Sequence, residues 1–104
     1  MPAEPLPLAR VIATRGGASI LDATERVFVV DFELGMINFA TVSPRVTASA
    51  GELKGVSITP LPGGNIARVG FHLIPGTASE SELRLALTSE GATASEVWLY
   101  RWTA

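Results

Sequence analysis

The stretch Arg68-Val69-Gly70-Phe71-His72-Leu73 decides the fold. Val69, Phe71 and Leu73 alternate with Arg68, Gly70 and His72, so one face is apolar and the other is polar or small. Side chains two apart on an extended chain share a face, which makes this a half-buried strand. Leu83-Arg84-Leu85-Ala86-Leu87 repeats the pattern. Its Glu, Leu, Arg and Ala also suit a helix. The strict alternation and the flanking Gly76 and Gly91 favour a strand.

Outward from these two segments, turn signals recur at short intervals. They are Arg15-Gly16-Gly17, Gly35, Ser43-Pro44, Ala50-Gly51, Pro60-Leu61-Pro62-Gly63-Gly64, Pro75-Gly76 and Glu90-Gly91. The intervening pieces have strand length and many β-branched residues. Strands are predicted near 8–14, 26–33, 45–49, 54–60, 65–74, 82–88 and 95–102. Seven short strands in 104 residues predict an all-β fold, an immunoglobulin-like β-sandwich. The prolines at 2, 5 and 7 suit an extended approach. Residues 1–25 therefore read as a connecting segment with one strand, and residues 26–104 as the sandwich domain. Arg15 to Glu25 reads as a mobile loop.

Composition narrows the function. Hydrophobic residues are 47% of the chain and charged residues 17%, too apolar for a disordered tail. The net charge is −2, with seven arginines and one lysine, Lys54, against ten acidic residues. That leaves no basic field for a phosphate backbone, so no nucleic-acid partner is expected. Without cysteine there is no disulfide framework or thiolate metal site, and one histidine builds no multi-histidine site. No metal or other cofactor is expected. No apolar run reaches the roughly 18–20 residues of a membrane-spanning helix. The opening residues Met1-Pro2-Ala3-Glu4-Pro5-Leu6-Pro7 lack the pattern of a signal peptide, which would lie upstream if Met1 opens a fragment.

Few side chains invite chemistry. Asp31 with Glu33, and Glu80 with Glu82, lie two apart on strands, roughly 6–7 Å apart. Glycosidases use two carboxylates at about 5–9.5 Å. One would need a raised pKa in a desolvated cleft, which a small sandwich rarely supplies. A solvated face, or ion pairs with Arg84 or Arg26, is the simpler reading, and no catalytic residue is assigned. His72 reads as a surface histidine. Gly16-Gly17 and Gly63-Gly64 read as turns, without the spacing of a phosphate-binding loop.

Two segments are apolar on both faces. In Arg26-Val27-Phe28-Val29-Val30-Asp31-Phe32, Phe28, Val30 and Phe32 oppose Val27, Val29 and Asp31. In Val97-Trp98-Leu99-Tyr100-Arg101-Trp102, Trp98, Tyr100 and Trp102 oppose Val97, Leu99 and Arg101. A two-layer sandwich consumes one face per strand. The second faces must meet a loop, another domain or a partner subunit, which predicts a contact surface there. The aromatic row supplies the core in the simpler reading and a sugar-stacking platform in the other. Trp98 is expected in the core and Trp102, near the chain end, at the surface. The residues expected to touch a glucan or a neighbouring domain are Tyr100, Trp102, Arg101, Val27 and Val29.

The segments Leu8-Ala9-Arg10-Val11-Ile12-Ala13-Thr14-Arg15, Arg26-Val27-Phe28-Val29-Val30-Asp31-Phe32 and Ser95-Glu96-Val97-Trp98-Leu99-Tyr100-Arg101-Trp102 resemble, in order, the C-terminal part of the glucans biosynthesis G/D proteins. These are periplasmic proteins of osmoregulated glucan synthesis. The resemblance implies a large N-terminal β-sandwich with a sugar-binding cleft, followed by a smaller immunoglobulin-like domain to which this chain corresponds. It implies a role around a β-1,2-linked glucan backbone, with the acid-base carboxylates in the large domain. It implies a periplasmic location and a non-catalytic docking module, with a homodimer expected of the isolated domain. A carbohydrate-binding module is the alternative. The segment between Arg15 and Arg26 is shorter than the glycine-rich loop the family usually carries there.

Overall fold

A computed structural model describes residues 9–18, 25–62 and 65–104. The eight strands are β1 Arg10–Ala18, β2 Arg26–Glu33, β3 Val42–Ala48, β4 Glu52–Leu61, β5 Ile66–Ile74, β6 Glu80–Ser89, β7 Ala92–Thr93 and β8 Trp98–Thr103. A single 3-10 turn, Phe39–Thr41, precedes β3. The first sheet runs β1-β2-β5-β4. In the second, β6 is central, with β3 on one side and β7 and β8 on the other. All these strand pairs are antiparallel. With β7 as an extension of the β6–β8 connection, this is the four-plus-three strand arrangement of a constant-type immunoglobulin domain. The predicted sandwich is therefore the observed fold.

The inward faces make the core. Phe28, Val30 and Phe32 of β2 meet Val69, Phe71 and Leu73 of β5 within the first sheet. Leu83, Leu85 and Leu87 of β6 face them from the second. All nine are buried. The segment 81–89 is strand throughout, because its leucines recur every second residue. Fully burying one such side chain is worth about 1.5–3 kcal/mol.

Several boundaries differ from expectation. β3 begins at Val42 and contains Pro44, which had read as a turn. Proline lacks a ladder donor, and both Pro44 and Pro60 sit on edge strands, where that loss costs little. β4 carries an irregularity between Lys54 and Ser57, where Gly55 takes φ 64°. That is a glycine bulge, which bends an edge strand away from further pairing. The β6–β7 turn is a two-residue hairpin with Glu90 at φ 52° and Gly91 at φ 83°. Both residues are left-handed, as the tight turn matching strand twist demands.

The start of the chain departs most. β1 continues to Ala18 and is bonded along its length to β2, so Arg15 to Ala18 are strand where a loop was expected. Glu25, the last residue of that expected loop, is buried. Residues 1–8 and 19–24, which hold the rest of the connecting segment and of the loop, lie outside the described residues, as does Gly63-Gly64.

Candidate functional site: the β1–β8 edge

Ala9 makes a parallel bridge to Ser95. The Ala9 amide donates to the Ala94 carbonyl at 2.9 Å, and the Ala9 carbonyl accepts from the Glu96 amide at 2.9 Å. The Val11 amide donates to the Glu96 carboxylate, and the Trp98 indole Nε1 donates to Thr14 Oγ1 at 3.2 Å. β1 thus belongs to the first sheet while the residue before it is stitched to the segment leading into β8 of the second. The two sheets are closed along this side by β1 and β8.

Aromatic rings fill the closure. Phe28 stacks on Phe71 with centroids 5.3 Å apart, and Trp98 meets both edge-on at 6.1 and 6.0 Å. Tyr100 lies flat against Trp98 at 5.7 Å, with planes 5° apart, and edge-on to Phe28 at 5.3 Å. These are the favoured offset and T-shaped geometries, worth about 0.5–1.5 kcal/mol a pair beyond burial. Gly16 of β1 covers this cluster. A Cβ there would lie 3.0 Å from the Phe28 ring, tighter than ordinary packing, so glycine suits this close approach and a larger residue would push the ring aside.

The five residues expected to form a contact do not converge. Tyr100 points inward but sits on an edge strand, which leaves it 44% exposed. Trp102 is 7% exposed, as is Trp98, which corrects the expectation that it would lie at the surface. It fails because the chain does not fray after it. Ser81 of β6 pairs opposite Trp102, and the Ala104 amide donates to the Ser79 carbonyl at 2.9 Å. Arg101 is on the outer face of the second sheet, with its guanidinium 2.8 Å from Glu80. Val27 and Val29 are half-buried on the outer face of the first sheet, beside His72 and Gly70 of β5.

What the edge does collect is exposed apolar surface. Of six large apolar side chains exposed among the described residues, Ile12, Val97, Leu99 and Tyr100 belong to β1, β8 or the residue before β8. Leu99 is 71% exposed. Sequence alternation had marked Leu99 and Val97 as a second apolar face, but nothing local pointed to Ile12. It is the residue skipped between Val11 and Ala13 in the pairing with β2. Such an irregularity turns a side chain away from the regular pleat.

The carboxylates settle into structural roles. Asp31, buried, takes both Arg68 Nε at 2.9 Å and Arg68 Nη2 at 3.0 Å, a two-pronged pair across β2 and β5. That hydrogen bond, and then the charge of Asp31, raise the Arg68 pKa above its ordinary value against a small opposing effect of burial. Glu80 pairs with Arg101. The expected ion pairs thus exist in kind with other partners, Arg68 and Arg101 in place of Arg26 and Arg84. Glu25 Oε2 lies 2.8 Å from His72 Nδ1, and Glu25 also pairs with Lys54, gathering β2, β5 and β4 on one outer face. His72 is half-buried, with this partner. Among the described residues there is no group of three potential metal ligands. No helix among them is long and apolar enough to cross a membrane.

The family model described as "Periplasmic glucan biosynthesis protein, MdoG" matches residues 1–102. A glucans biosynthesis protein D 1 of Ralstonia nicotianae is 39% identical over 93% of this chain and 20% of its own length. A glucans biosynthesis protein D of Stenotrophomonas maltophilia is 38% identical over 98% of this chain and 21% of its own. A glucans biosynthesis protein G of Vibrio cholerae is 37% identical over 85% of this chain and 16% of its own. The chain spans about a fifth of the length of these curated relatives.

Proposed function

The chain belongs to the family of periplasmic glucan biosynthesis proteins, and on that premise we propose that it is a non-catalytic accessory module that docks on a larger β-sandwich domain of its parent protein. The larger domain handles the β-1,2-linked glucan, and the pair works in the periplasm, the compartment the family is named for. The β1–β8 edge is the docking surface. The observation that carries this is the gathering there of Ile12, Val97, Leu99 and Tyr100 on strands whose outer edges have no partner strand among the described residues. Exposed apolar side chains clustered on a sheet edge mark an interaction site, since edge strands are otherwise blunted with charge. One carboxylate of each candidate pair is engaged by an arginine, Asp31 by Arg68 and Glu80 by Arg101, which supports the non-catalytic reading.

The test uses the Ralstonia nicotianae relative with its matching fifth deleted. The chain should bind that remainder, and Ile12→Asp with Leu99→Asp should weaken binding at least tenfold while the variant keeps its fold by circular dichroism. No binding, or binding indifferent to both changes, overturns the docking reading. Hydrolysis of β-glucan by the chain alone overturns the non-catalytic part. Self-association seen by sedimentation, and abolished by the same changes, would name a second copy as the occupant of the edge.

A second reading has its own observation. Tyr100 is backed by Trp98 on one face and partly open to solvent, an arrangement suited to stacking one sugar ring. Titration with β-1,2-glucan oligosaccharides should then change tryptophan fluorescence in the unaltered chain and not in Tyr100→Ala. Silence at millimolar ligand rejects it.

A further inference from the structure

The outer face of the second sheet holds a hollow of about 250 Å³ lined by Arg45, Thr47, Arg84, Ala86, Thr88 and Thr93. Strand register explains it. On β6 the outward residues Arg84, Ala86 and Thr88 alternate with the buried leucines, and Arg45 and Thr47 of β3 stand opposite Ala86 and Arg84. Thr93 of β7 stands opposite Thr88. Ala86 is the floor: it faces outward yet is buried, because longer side chains surround its methyl group. Arg45 and Arg84 are thereby diagonal neighbours across the ladder, a separation within reach of two long side chains.

Their charges are unanswered. Arg68, Arg101 and Lys54 each meet a carboxylate, but Arg45 and Arg84 have no ion pair among the described residues. Glu82, the next outward residue along β6, makes none with Arg84. Two like charges held side by side over a small apolar floor oppose folding slightly unless something neutralises them. Guanidinium forks match the oxygens of phosphate and carboxylate groups. Two hydroxyls add donors, those of Thr47 and Thr93. That of Thr88 is committed to the Ser43 carbonyl at 3.3 Å. The volume is just under the usual small-ligand range of about 300–1,000 Å³, so the hollow admits one anionic group rather than a whole large ligand.

We propose that this hollow is an oxyanion site in which Arg45 and Arg84 clamp a phosphoryl group, carried either by a soluble ester or by a lipid headgroup. The hollow lies on the β3 side of β6, while Leu99 of the docking edge stands opposite Arg84 on the β8 side, so the two sites adjoin on one face but rest on different observations.

The experiment follows the arginine side-chain Nε–H signals of the full chain by NMR during titration with inorganic phosphate at constant ionic strength. Arg45 and Arg84 should shift and saturate at low millimolar concentration, with the Thr47 and Thr93 amides. Arg84→Gln and Arg45→Gln should each weaken binding at least tenfold. Arg101→Gln, on the same face but paired with Glu80, should change it less than twofold. Competition by glucose 6-phosphate, against none by glucose, assigns a soluble ester. Binding to phosphatidylglycerol vesicles but not phosphatidylcholine vesicles, lost in Arg84→Gln, assigns a headgroup. Linear shifts spread over all arginines, or shifts unchanged in Arg84→Gln and Arg45→Gln, overturn the site.

Discussion

On the outer face of the first sheet, Asp31 clamps Arg68, and Glu25 gathers His72 and Lys54. On the outer face of the second, Arg101 meets Glu80 at the end of the strands, while Arg45 and Arg84 meet no carboxylate among the described residues. Both faces are charged strands over a leucine, valine and phenylalanine core. The difference is burial: Asp31 and Glu25 are buried, and an unpaired buried carboxylate is costly. Charges on the first face hold strands in register. On the second, Arg45 and Arg84 stand clear of such pairs and remain available to something else.

Breaking what the two faces share should have the largest effect. Trp102→Ala empties core volume beneath both, and should cost about 3–5 kcal/mol in denaturant unfolding. Leu99→Ala, on the same strand but facing solvent, should change stability by less than about 0.5 kcal/mol. Next come the pairs of the first face. Asp31→Asn should lower the melting temperature measurably, and adding Arg68→Gln should lower it little further, because the two act as one unit. Equal and additive losses would mean the pair holds nothing together. Glu25→Gln, which leaves His72 and Lys54 without their carboxylate, should cost about 1 kcal/mol, measured the same way. The smallest effect belongs to the second face. Arg84→Gln should leave stability unchanged or raise it, within about 0.5 kcal/mol. A clear loss would show that Arg84 works for the fold and erase the contrast.

Much of the fold is legible in the sequence itself. The alternation at 69–73 and 83–87 fixed which faces are buried, and β2 was placed at its observed ends. What escaped were features set by pairing rather than by local pattern. Asp31 stands opposite Arg68 only because β2 pairs with β5 in one register, and no residue nearby in sequence announces it. Trp102 read as exposed because it is near the chain end, whereas β6 holds it in place. Pro44 read as a turn because proline usually breaks a ladder, and only the edge position of β3 excuses it. The oxyanion hollow draws on β3, β6 and β7, and so was invisible in any single segment.

The stitch between Ala9 and Ser95 has a mechanical meaning. The two segments run the same way at that single bridge, so tension along the chain would load its paired bonds in shear, together rather than one after the other. A module held in that manner should tolerate stretching by whatever it is tethered to, and give way at β1 only after the load has been shared with β8.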